Sequence, residues 1–261
     1  MIISVKQAAI HLISMVVPQK ESRILSDAAA FWEGNNTRAQ DFSHWRGKGR
    51  WNDERWFGVG QTTFRMLKEA LDRYSSWNDS DYQHLKVFEL GPGGGANVVE
   101  LCRHFGTVYG ADISSPNLEE CVRQVGSLSV TGDFIPIPFP IDKPESILEK
   151  AEKADIVLAM SVYTYFPSKK YGIHITDILA DLLNSPGYAI IHIRHRDSVW
   201  KMVRGLNLRY VSMRRDYKRF VGFFAFGAKE FTRICRKSGL EVLEVKATQL
   251  GNSDYFLLKK K

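Results

Sequence analysis

The chain has 261 residues, 44% hydrophobic and 25% charged, which suits one large globular domain or a domain with a cap and excludes a disordered chain. Its three cysteines, Cys102, Cys121 and Cys235, are scattered, with no CxxC pair or Cys/His cluster, so neither a disulfide framework nor a metal site is expected. The net charge of +7 is local: residues 194–219 hold nine Lys/Arg against Asp197 and Asp216, the whole excess, which points to an anionic partner there.

Residues 1–18 are apolar, but Lys6, Gln7 and His11 interrupt the run. No basic region precedes it and no persuasive cleavage site follows, so it reads as an amphipathic helix packed on the main domain. No other run approaches the ~20 apolar residues that span a bilayer. A reduced, cytoplasmic compartment without membrane contact is expected. Helical spacing recurs over 24–32 and 56–74, and residues 41–55 between them carry two glycines with dense Trp and Arg. A polar break at 75–81 ends this region. The expected organisation is a helical cap over 1–80 and an α/β domain over 81–261, with a basic, lid-like insert at about 194–225.

From residue 85 short apolar runs alternate with helical stretches. Strands are expected at 86–90, 108–113, 127–131, 155–161 and 188–193, with helices at 97–105, 115–124, 147–154 and 175–183. Such alternation gives βαβ units and a parallel sheet covered on both faces. A last helix at 229–238 precedes runs at 240–247 and 254–259, which read as a hairpin closed by Gly251-Asn252-Ser253.

The strongest motif is Glu89-Leu90-Gly91-Pro92-Gly93-Gly94-Gly95, between a strand and a helix. Glycines there let the backbone turn tightly and a ligand approach closely. Gly91, Gly93 and Ala96 also satisfy the dinucleotide spacing, so a nicotinamide enzyme is the nearest competitor. Against it stands the position of the acids. Glu89 at the strand end suits an ammonium or sulfonium group and repels a pyrophosphate. Asp112, ending the second strand, can accept from two ribose hydroxyls, and Asp133 with Phe134 can hold an adenine edge and face. All three are expected at the carboxyl ends of parallel strands, where open α/β sheets bind ligands.

These segments resemble the class I S-adenosylmethionine (SAM)-dependent methyltransferases. The glycine loop resembles that family's first motif, Ala111-Asp112-Ile113-Ser114 its second, Gly132-Asp133-Phe134 its third, and Ala154–Tyr163 its fourth. Ser185-Pro186-Gly187 resembles the entry to the fifth strand, and the terminal hairpin suits the family's antiparallel seventh strand. The resemblance, over about residues 85–260, implies a Rossmann-like α/β fold with a seven-stranded, mostly parallel sheet. It implies SAM as cofactor, held by Glu89, Gly91, Gly93 and Gly95 at the methionine part. Asp112 and Ile113 would take the ribose side, Asp133 and Phe134 the adenine, and Ser161 would line the methyl donor.

A sulfonium donor is intrinsically reactive, so alignment and exclusion of water carry much of the catalysis. A hydroxyl acceptor benefits from a base, and the candidates are His195, beyond the fifth strand, and Tyr163 after the fourth; His192 reads as structural. In the cap Trp32, Trp45, Trp51 and Trp56 lie beside Arg46, Arg50 and Arg55, and aromatic walls with guanidinium groups suit a ring bearing an anion; Trp45, Arg46 and Trp51, with Arg194, are the candidates for the acceptor site. The expected acceptor is a small hydroxylated or carboxylated, anionic metabolite such as a sugar or natural-product intermediate, taken for O-methylation. Nucleic acid is the second reading, because Trp200, Tyr210 and Tyr217 interleave the basic segment. A SAM-fold binding protein without turnover is the third. Oligomeric state cannot be read from the sequence.

Overall fold

Apolar runs rich in Val, Ile, Phe and Leu, each followed by a helix, place five strands side by side with the chain returning over the faces between them. The computed structural model describes residues 21–34, 37–166, 168–194, 226–248 and 253–261. Among these the sheet has seven strands in the order β3-β2-β1-β4-β5-β7-β6. Strands β1 (Lys86–Leu90), β2 (Thr107–Asp112), β3 (Asp133–Pro138), β4 (Ala154–Ala159) and β5 (Leu183–Arg194) are parallel. Strand β7 (Ser253–Lys260) lies between β5 and β6 (Leu240–Ala247), antiparallel to both. The expected Rossmann-like, mostly parallel sheet with an antiparallel terminal hairpin is what forms.

Alternate residues of the same strands feed two cores. Phe88, Leu90, Val157, Ile191 and Phe256 point to one face, while Val87, Val108, Ile156, Ile190 and Leu257 point to the other. The first face is covered by the short α6 (Ile147–Lys150), α7 (Lys169–Leu182) and α8 (Ala228–Lys237). The second is covered by α4 (Ala96–Cys102) and α5 (Ser115–Ser127).

Three helices precede the sheet: α1 (Glu21–Trp32), α2 (Thr37–Phe42) and α3 (Asp53–Tyr74). The Asn52 side chain caps α3 by accepting from the Arg55 amide at 3.0 Å, with Asp53 and Glu54 in its first turn. Leu67, Ala70 and Leu71 of α3 pack with Val98, Leu101 and Phe105, so the segments on either side of the polar break share one core. Gly60 makes the approach to α4 possible, because a Cβ there would lie 2.3 Å from the Ala96 carbonyl oxygen. No described helix is long and apolar enough to cross a membrane. The apolar run at 1–18 and the basic insert at 195–225 lie outside the described residues.

One strand departs from expectation. Residues 127–131 are not the third strand: α5 runs through Ser127, and β3 is Asp133–Pro138. Pro136 and Pro138 conceal it in the sequence, since proline cannot donate to a ladder. The sheet tolerates both because β3 is an edge strand that pairs with β2 alone.

Candidate active site

Where the strand order reverses, between β1 and β4, a cavity of about 430 Å³ opens at the carboxyl ends of the strands. Its base is the glycine loop and its cover is the cap. The loop's amides are already used by the protein. Gly91 donates to the Ala111 carbonyl at 2.7 Å, Gly94 to the Ser43 carbonyl at 2.5 Å and Gly95 to the Pro92 carbonyl at 3.1 Å, and Gly93 donates to the Asp112 carboxylate. A pyrophosphate needs such N–H groups free, so the dinucleotide alternative finds no cradle here. The glycines also answer to the cap. Gly93 has φ +57°, and a Cβ on it would sit 2.6 Å from the Ser43 carbonyl oxygen; on Gly94 it would sit 2.5 Å from that of His44. Close approach of the cap backbone, as much as of a ligand, requires glycine.

Two carboxylates face the cavity. Glu89 ends buried, with Oε1 accepting from the Asn97 side-chain amide at 2.6 Å and Oε2 without a hydrogen-bond partner. The Asn97 Oδ1 is likewise buried and unpartnered. Two orphaned acceptors side by side call for a ligand that only donates, as an ammonium does. Burial pushes the Glu89 carboxyl up to about 7. Asp112 closes β2, accepting from the Ser114 amide at 2.9 Å and from the Asn117 side chain at 3.3 Å, and burial raises it to about 6. Asn117 also accepts from the Trp45 indole N–H at 2.9 Å, and Ser114 Oγ donates to the Trp32 carbonyl at 2.7 Å. The cap is therefore hydrogen-bonded to the residues that orient Asp112.

The remaining residues singled out from the sequence divide sharply. Ile113 and Ser161 line the cavity with Glu89, Gly91, Gly93 and Asp112; Gly95 instead is the N-cap of α4, where a Cβ would lie 3.2 Å from the Cys121 Cα. Asp133 and Phe134 are not brought to it. Because β3 starts at Asp133, opposite Thr107 at the start of β2, Asp133 lies at the amino ends of the strands, about 17 Å along the strand direction from Asp112 at ~3.3 Å per residue. Phe134 packs in the core against Gly110, where a Cβ would lie 2.6 Å from its ring. The carboxyl end of β3 delivers Phe139 and Ile141 to the cavity instead.

Tyr163 is also misplaced as a base. It is buried among Phe166, Phe226 and Phe231, bonded to the Thr176 hydroxyl at 2.8 Å, and burial drives its phenol far above the ordinary range. His195 lies outside the described residues. Trp45 and Arg46 face α5 and α3 rather than the cavity, and Arg46 pairs with the Asp53 carboxylate at 2.9 Å. Trp51 is buried, donates to the Asp41 carbonyl at 2.6 Å and packs on His44 with ring centroids 3.8 Å apart and planes tilted by 35°. Arg194 ends β5, where its carbonyl accepts from the Phe226 amide at 3.1 Å.

Further side chains complete the walls, among them Trp32 and Arg55 from the cap's expected tryptophan and arginine set. Arg55, Thr62 and Thr63 of α3 line the cavity, and Arg55 is the cation among the described lining residues. Trp32, Phe42, Tyr165, Phe166 and Tyr171 make an aromatic wall, with Trp32 and Tyr165 edge to face at 5.4 Å. His44 lines it too, held neutral with its pKa lowered to about 4 by burial and then by Arg50. Trp32 and Arg55 carried a readable signal in the cap's Trp/Arg composition, and Asn97 one as a polar side chain in the first turn after the glycines. The others depend on how the cap folds back.

Residues 60–245 match the methyltransferase-domain family. The ubiquinone biosynthesis O-methyltransferase of Bartonella quintana (strain Toulouse) is 26% identical over 170 residues, 62% of this chain and 63% of that protein. Its counterpart in Bartonella bacilliformis is 28% identical over 144 residues, 54% of each. The matched stretch thus spans under two thirds of these relatives' length. The magnesium protoporphyrin IX methyltransferase of Synechocystis PCC 6803, solved with bound SAH, superposes at TM-score 0.62 and 17% identity, covering 89% of this chain and 97% of that one. At that identity the likeness is one of fold. The family match covers most of the chain, and the orphaned acceptors at Glu89 and Asn97 fit the amino-acid part of S-adenosylmethionine: the chain belongs to the methyltransferase-domain family.

Proposed function

We propose that this protein O-methylates a small acceptor, a planar ring bearing a hydroxyl or carboxyl group. The observation that carries the proposal is the aromatic wall of Trp32, Phe42, Tyr165, Phe166 and Tyr171 beside Ser161. Flat apolar faces bury a ring, whereas an aliphatic sugar would leave its hydroxyls unpaired there. Both Bartonella relatives are O-methyltransferases by name, which supports the same class. An anionic substituent on the acceptor fits the basic segment, of which residues 195–225 lie outside the described residues. Arg46 faces away from the cavity, is paired with Asp53 and adds nothing to an anion there.

On the cofactor side, Glu89 and Asn97 hold the ammonium, Arg55 the carboxylate, and Asp112 the ribose, with Ile113, Phe139 and Ile141 flanking the base. The bound cofactor supplies an activated methyl group; the residues align it and keep water out. The test is transfer of radiolabelled methyl from SAM to three acceptor classes: catechols and dihydroxybenzoates, sugar acids, and oligonucleotides. Label is expected in the first class. Label in oligonucleotides alone, lost steeply with salt, overturns the proposal in favour of a nucleic-acid enzyme. SAM binding with no label in any class overturns it in favour of a protein without turnover.

A further inference from the structure

Ser161 follows β4 on the cavity wall with φ +62°, a left-handed backbone that a serine adopts only under constraint. Its Oγ lies 3.2 Å from Nδ1 of His192, on the neighbouring strand β5. The imidazole is fixed from behind by Tyr255 of β7, directly opposite in the ladder, with ring centroids 4.6 Å apart. Its Nε2 is buried and has no hydrogen-bond partner, so the ring's one polar outlet is through Ser161 into the cavity. Arg194, on the same strand face, is the charged group acting on the ring; Lys246 of β6, opposite Tyr255, is paired with Glu69 of α3. Burial, then Arg194, holds the imidazole neutral, with its pKa lowered to about 4.

We propose that Ser161 is the catalytic residue that meets the acceptor hydroxyl, and that His192 is a positioning residue that takes up the acceptor's proton through Ser161. This rests on the hydroxyl acceptor of the proposed function; a carboxylate would need no such relay. As the acceptor oxygen bonds to the methyl carbon, the carbon–sulfur bond breaks with its electron pair staying on sulfur. The acceptor's proton passes to Ser161 Oγ while the serine's own proton passes to His192 Nδ1. The positive charge lost from sulfur thus appears on imidazolium, and solvent removes that proton afterwards. A weakly basic imidazole suffices, because an attacking hydroxyl becomes strongly acidic as its new bond forms.

The test compares Ser161→Gly, which relieves the backbone while removing the hydroxyl, and His192→Gln on two acceptors. One is catechol; the other is 4-nitrocatechol, whose hydroxyl is already ionised at neutral pH. With catechol, kcat is expected to fall by about 100-fold in both variants. Acceptor KM and the affinity for S-adenosylhomocysteine should stay within about threefold. With 4-nitrocatechol the loss should shrink to within about fivefold, since no proton needs removal. Equal losses on both acceptors, or no loss on either, overturn the relay. A wild-type protein that binds S-adenosylhomocysteine but methylates neither catechol overturns the acceptor class, and the relay with it. Independently of turnover, histidine ¹⁵N spectra of the S-adenosylhomocysteine complex should show His192 protonated at Nε2 and not at Nδ1; the opposite tautomer overturns the relay.

Discussion

The two halves of the cavity are built on different physical terms. The β1–β2 half is polar and set at strand ends: Glu89, Asn97 and Asp112 bring buried acceptors to a place that backbone geometry dictates. The opposite half is an aromatic wall gathered from α1, α2, the segment after β4 and the start of α7. Charge recognition in the first half needs a few atoms placed to within a few tenths of an ångström, which a rigid parallel sheet supplies. Shape recognition in the second needs area, which loosely related helices can supply and vary. The difference explains how one sheet can keep its cofactor while its acceptor is decided elsewhere.

The comparison breaks first at its polar half. Glu89→Gln removes charge but not shape, and should weaken S-adenosylhomocysteine binding by about 2–3 kcal/mol, some 30- to 150-fold, by calorimetric titration. Asp133→Asn in the same titration should change affinity by less than about twofold, about 0.4 kcal/mol. A comparable loss at Asp133 would mean that β3 is wrongly placed.

The seam between the halves comes next. Gly93→Val places a branched side chain against the Ser43 carbonyl on a left-handed backbone. A cost of about 2 kcal/mol or more is expected, a drop in Tm of roughly 4 °C or more. Limited proteolysis should find the cap over 37–52 newly cleavable. An unchanged melt and digest would show that the cap does not dock through this loop.

Acidity gives a smaller but diagnostic effect. Glu89 and Asp112 are raised to about 7 and about 6 by burial, while an ammonium and ribose hydroxyls favour the ionised forms. Below pH 7 the protein must release a proton to bind, so affinity should fall by up to about tenfold between pH 7 and 6 and level off above pH 8. Glu89→Gln should flatten the upper limb and leave the lower one.

The smallest effect separates two neighbouring tyrosines. Tyr163→Phe loses one bond to Thr176, whose hydroxyl still donates to the Gly172 carbonyl. It should cost about 1 kcal/mol of stability with kcat unchanged. Tyr165→Ala removes part of the wall, and should raise acceptor KM with little change in cofactor affinity. Reversed results would exchange the roles of core and site.

What the sequence alone determined is whatever period and punctuation encode. Strand ends that alternate with helices, and a glycine run preceded by Glu89, fix the parallel sheet and the place of Glu89 and Asp112 through local geometry. The edge strand escaped because Pro136 and Pro138 deny a strand signal that only an unpaired edge excuses, and with it Asp133 and Phe134 were put at the wrong end. Tyr163 in the core, Tyr165 at the cavity, His44 over the glycine loop and Ser161 against His192 were decided by tertiary structure. Each depends on contacts between residues far apart in the chain, and no local pattern records which face of a segment another segment will cover.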